Sequence, residues 1–129
     1  MPPRNRFVHE WFEKARHDLD AAGRELRADG WPDIVCFHCQ QTVEKLLKAL
    51  LLAQGRDLAK YRWHDLLRLL EACRLDQRSR RTLYPVCQLL TGYYIAARYP
   101  LGAEHTLADA RRAVTAAQRA SRLLSHLLR

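Results

Sequence analysis

Arg98 and His105 are the two side chains in this sequence best placed for phosphate chemistry. Arg98 closes one apolar helical run and His105 stands just ahead of the next, so both sit at one connection. A guanidinium grips a phosphate in a fixed fork, and an imidazole exchanges a proton near neutral pH. Held on the two sides of one tight turn, they can approach one phosphate. Arg98 also fits a plainer role, as a cation at a helix C terminus with Pro100 as the stop signal. A second group lies in Gln41, Glu44, Lys45 and Lys48. Gln41 to Lys45 and Glu44 to Lys48 are one-turn pairs that suit a solvated, salt-bridged face. Gln41 nevertheless falls near an apolar stripe, where polar groups need partners inside the fold.

The third group is Cys36-x-x-Cys39. On a helix this spacing puts both sulfurs on one face. Zinc would need two further ligands from Cys73, Cys87, His38 or His64, and none repeats the spacing of a zinc ribbon. Redox pairs open a helix after a strand, whereas this pair lies inside a helical pattern. The four cysteines therefore read as small buried hydrophobes, and no metal or cofactor is expected.

The elements that must position these groups follow from periodicity. The chain has 129 residues, enough for one domain, 1–129, with its own core. Five Gly and five Pro exclude a turn-rich β-sandwich or a disordered linker protein. No apolar h-region follows the basic N terminus and no apolar run reaches membrane-spanning length, so the expectation is a cytoplasmic chain with no membrane role. Net charge is +8, and it is one-sided. Residues 1–55 carry eight basic and eight acidic side chains; residues 56–129 carry fourteen and six. That half of the molecule suits a polyanion or an acidic partner.

Apolar residues recur at threes and fours almost throughout. Val8, Trp11, Phe12, Ala15, Leu19, Ala22 and Leu26 predict a helix over 6–28. Ile34, Phe37, Val43, Leu46, Leu47, Leu50 and Leu51 predict a second over 33–54, ended by Gly55. A short helix is expected at 64–74. A fourth is expected at 80–98, starting near Thr82 so that Pro85 falls in its first turn. The last is expected at 106–128, with Leu107 and Leu127 facing in and Thr106 and Asp109 forming a capping box. Long helices with short loops predict an all-α, up-and-down antiparallel four-helix bundle with an extra short helix.

The segment Phe37-His38-Cys39-Gln40-Gln41-Thr42-Val43-Glu44-Lys45-Leu46-Leu47-Lys48-Ala49 resembles the signature of the HEPN domain family (higher eukaryotes and prokaryotes nucleotide-binding). His64-Asp65-Leu66 and Ala97-Arg98-Tyr99-Pro100 resemble two further family motifs, in the family's order. The resemblance implies a helical, usually dimeric domain. It also implies association with a minimal nucleotidyltransferase, in some cases as toxin and antitoxin. Many such proteins are metal-independent RNases with an R-x(4–6)-H motif, which Arg98 and His105 match at its upper limit. The implied roles are Arg98 and His105 in catalysis, with Arg98, Tyr99, Arg80, Arg81, Arg111 and Arg112 along the nucleotide or RNA. His38, Gln41, Glu44, Lys45 and Lys48 would form the structural motif. The alternative is a bundle that binds nucleotide or a nucleotidyltransferase without cleaving.

Overall fold

The computed structural model describes residues 2–97 and 105–128, so Arg98 and Tyr99 lie outside the described residues. The elements are α1 (Pro2–Arg27), α2 (Pro32–Ala53), a short 3-10 turn (Leu58–Lys60), α3 (Leu66–Ala72), α4 (Gln77–Ala97) and α5 (Leu107–Leu127). Among the described residues there is no strand. The fold is the expected all-α bundle, with α2 packed against every other helix.

Local chemistry sets the ends. After α1 the backbone turns through Asp29, at φ 53°, and the Gly30 N–H donates to the Glu25 carbonyl at 2.8 Å. A Cβ at Gly30 would meet the end of the Glu25 side chain, which would have to swing aside. Pro32 then opens α2, where a missing N–H costs nothing. At the far end Gly55 takes φ 82°, and the Arg56 N–H reaches back to the Leu51 carbonyl at 2.9 Å. That is a Schellman closure, which needs a left-handed residue.

Three expectations change. α4 begins at Gln77, earlier than Pro85 suggested, because Asp76 caps it: its carboxylate accepts from the Ser79 N–H at 2.7 Å and from the Ser79 hydroxyl at 3.1 Å. Pro85 is tolerated inside the helix because it lies on the exposed face, where water can serve the carbonyl it leaves unbonded. The inward stripe of α2 is rotated at its start. Val35, Cys36, Cys39 and Gln40 are buried, while Ile34 and Phe37 are exposed. Leu107 and Leu127, at the two ends of α5, are also exposed rather than inward.

The middle of α5 approaches the core through small residues. Ala110, Ala113, Ala117 and Ala120 are all fully buried, spaced at threes and fours along one face. Their short side chains let α5 approach α2 closely, and Leu124 closes the far end of the stripe. An Ala117→Leu substitution would overpack this seam. It is expected to lower stability by about 1–3 kcal/mol in urea denaturation; an unchanged midpoint would show that the seam has room.

Candidate functional site

The signature segment on α2 forms two carboxylate-centred clusters. The first is built on Asp18 of α1. Its Oδ1 accepts from His38 Nδ1 at 2.9 Å, and its Oδ2 is paired with the Lys45 ammonium. Because a carboxylate only accepts, His38 carries a proton on Nδ1. Asp18, flanking the apolar residues Ala15, Leu19 and Ala22, is the partner that one-turn spacing within α2 did not reveal. It ties α1 to α2, and it takes Lys45 in place of the expected Gln41 pairing. Gln41 instead donates to the Gln40 side-chain oxygen at 2.7 Å.

The second cluster is built on Glu44, which is only 4% exposed. Its Oε1 accepts from Gln40 Nε2 at 3.1 Å and from His64 Nδ1 at 3.0 Å. Its Oε2 pairs with Lys48 at 3.2 Å, the one-turn pair that spacing predicted. Gln40, fully buried, also donates to the His64 carbonyl at 3.1 Å. The Lys48 ammonium in turn lies 5.8 Å from the centre of the Trp11 ring. The His64 ring lies 5.7 Å from the ring of Tyr94, on the last turns of α4. The Leu66 N–H, at the start of α3, donates to the Thr91 hydroxyl at 3.1 Å. The network therefore runs from α1 through α2 to the entry of α3 and the end of α4.

His105 lies one residue before the Thr106 cap of α5. Its ring packs edge-on against Tyr93 at 5.2 Å between centres. Its Nε2 is enclosed and has no hydrogen-bond partner among the described residues. Asp109 organises the surroundings. It accepts from the Thr106 N–H at 2.9 Å, from the Tyr93 hydroxyl at 3.2 Å and from Arg112 at 2.7 Å. The Asp109 N–H completes the capping box by donating to the Thr106 hydroxyl at 3.1 Å. The Thr106 backbone N–H, with help from Arg112 and Tyr93, holds the Asp109 carboxyl down at about 2. Burial, then the negative Asp109, pushes the Tyr93 phenol up.

The structure separates the basic residues singled out by sequence. Arg80 is turned inward, donating to the Leu70 and Cys73 carbonyls at 3.4 and 3.0 Å, so it caps the C terminus of α3. Arg81, Arg111 and Arg112 are exposed. Arg111 and Arg112 share a groove between α4 and α5 that Arg80 and Arg81 do not line. All four cysteines are buried, and burial pushes their thiols up to about 12. Such thiols stay protonated and behave as hydrophobes.

A family model described as "HEPN domain" matches residues 8–127. Two solved structures are similar over nearly the whole chain. One is TT1696 from Thermus thermophilus, at 27% identity and a TM-score of 0.74, covering 92% of this chain and 96% of that one. The other is ST0689, described as an archaeal HEPN homologue, at 23% identity and a TM-score of 0.76, covering 95% and 98%. The second likeness speaks to the fold. No curated protein sequence matches the chain.

Two measurements test this architecture. Glu44→Ala would leave a buried ammonium and amide without their acceptor. It is expected to cost about 3–5 kcal/mol in chemical denaturation, with Glu44→Gln costing less; a loss under about 1 kcal/mol would show the cluster to be dispensable. Asp109 binds its proton less readily when folded than at the ordinary value of 3.8. Its contribution is therefore complete above about pH 4 and lost as pH falls toward about 2. Between those limits an Asp109→Asn variant should show a shallower fall of stability with acid than the parent, and parallel curves would refute the coupling.

Proposed function

The chain belongs to the HEPN domain family, and from that premise we propose that it is a metal-independent RNA-cleaving protein whose reacting groups are Arg98 and His105. The observation that carries this reading is the placement of His105, set by the Thr106 cap and the Tyr93 ring immediately ahead of α5. His105 stands one residue before the Thr106 cap of α5 and seven positions after Arg98 in the sequence.

In the proposed reaction a ribose 2′-hydroxyl attacks the adjacent phosphorus. The bond to the 5′-oxygen breaks, leaving a 2′,3′-cyclic phosphate and a free 5′-hydroxyl. His105 exchanges the proton, taking it from the 2′-hydroxyl or giving it to the leaving oxygen. Arg98 holds the non-bridging oxygens and offsets the charge that builds on them. Tyr99 neighbours the phosphate, and Arg111, exposed on the first turns of α5, extends the path. The roles of Asp109 and Tyr93 are positional: they fix the cap that sets where His105 stands. The proposed working unit is a cytoplasmic homodimer of one-domain chains, with two such loops meeting in one cleft. A nucleotidyltransferase-like protein is its proposed regulatory partner, in the manner of a toxin and its antitoxin.

A second reading is a bundle that binds nucleotide or that partner without cleaving. The enclosure of Nε2 favours it, because a proton carrier needs a path to the scissile bond.

The two readings separate in one assay. Incubated with a mixed-sequence RNA in EDTA, the protein should yield ends bearing 2′,3′-cyclic phosphate. His105→Ala, with an unchanged circular dichroism spectrum, should lower the rate by about 10²–10⁴-fold. Unchanged cleavage by that variant would remove His105 from the chemistry. Binding of RNA or nucleotide without cleavage by the parent would select the second reading.

A further inference from the structure

The groove between α4 and α5 adjoins the His105 site, sharing Arg112 of the Asp109 cluster and Arg111 of the proposed RNA path, and extends away from it to Arg119. Its cavity is about 350 Å³. Its floor is aliphatic: Pro85, Val86 and Leu89 from α4, and Ala116 from α5. Val86 is buried, but Pro85 is exposed and Leu89 and Ala116 are half-covered, so apolar surface remains open to water. One rim carries Arg111, Arg112 and Arg119. Arg112 is paired with Asp109, whereas Arg111 and Arg119 have no acidic partner among the described residues. From 112 through 116 to 119 the lining residues recur at four and three, so they form one helix face about 10 Å long.

We infer that this groove docks an acidic amphipathic helix from a protein partner. The two halves of the surface demand two halves of a ligand. An apolar floor is satisfied by apolar side chains, which an amphipathic helix supplies at i, i+3, i+4 and i+7. Unpaired guanidiniums along one rim are satisfied by carboxylates on the flank of that same helix. Single-stranded nucleic acid fits less well. Its bases stack on aromatic rings, and none lines this floor. Phosphates set over Val86, Leu89 and Ala116 would leave that apolar surface uncovered. A further helix laid in the crease would also pack as the bundle's own helices do. The inference does not depend on RNA cleavage, and neither Arg119 nor Ala116 has a part in that reading.

The test uses the full chain and a fluorescein-labelled peptide of about 18 residues, long enough to hold a helix when docked. Its leucines lie along one face and glutamates flank them. Fluorescence anisotropy at about 50 mM salt should show saturable 1:1 binding that weakens as salt rises. Arg119→Glu, a surface change that leaves the core intact, should weaken binding at least about tenfold, and Arg119→Lys should retain most of it. Ala116→Trp, which fills the floor, should weaken it similarly. A peptide of the same composition with its leucines scattered should not bind in the same range. The inference is overturned by any of three results. The scattered peptide binds equally well; Arg119→Glu leaves affinity unchanged; or no saturable binding appears below about 1 mM, the weak end of specific recognition. Loss of RNA binding or of dimerisation in Arg119→Glu, without peptide binding, would likewise overturn it and give the groove to those occupants.

Discussion

A carboxylate cannot be left alone in the middle of a helical bundle, and Glu44 is 4% exposed. The charge is held by Lys48 one turn along, by the buried amide of Gln40 and by His64 from the loop before α3. Each partner is itself constrained. Gln40 also holds the His64 backbone, Lys48 lies against Trp11, and His64 lies against Tyr94. One ionised group thus ties α1, α2, the α3 entry and the end of α4 into a single arrangement. Such a cluster adds less net stability than hydrophobic packing of equal volume would. It does penalise any register of α2 that leaves Glu44 unpaired.

Asp109 plays the corresponding part at the surface. It joins a helix cap, a phenol and a guanidinium at the start of α5. The cap fixes the direction of the helix, and the phenol fixes the imidazole of His105 edge-on. The result is a capped helix start with the His105 Nε2 enclosed and without a hydrogen-bond partner among the described residues. Two polar assemblies therefore stand at the end of α4 and the start of α5, one inside the bundle and one at its edge. The alanine seam between α2 and α5 holds them in fixed relation.

The basic excess of the second half divides into different uses. Arg80 closes α3 from inside, and Arg74 binds the end of α2 through the Gln54 carbonyl at 3.3 Å. Arg68 stacks over the Trp63 ring at 3.7 Å. Arg111 and Arg119 remain on a shared rim without acidic partners among the described residues. Net charge therefore overstates what is available to a ligand. Local pairing, which composition does not record, decides which cations are free.

Much of the fold was legible in the sequence because helices announce themselves locally. The three- and four-residue period, Gly55, Pro32 and the Thr106–Asp109 box all act within one or two turns. The Glu44–Lys48 pair was visible for the same reason. What periodicity misjudged lay where the local pattern was degenerate. Ile34 and Phe37 were as apolar as Val35 and Cys36, and only packing against α1 and α5 decided which pair turned inward. Asp18 as the acceptor for His38 and Lys45, His64 as the donor to Glu44, and Arg80 as a cap join residues distant in sequence or in different elements. The sequence by itself determined the helices, their ends and the charged residues available, since backbone hydrogen bonds and caps are short-range. Tertiary structure alone decided which charges neutralise one another and which stay open, because that depends on distances set by how the helices close around α2.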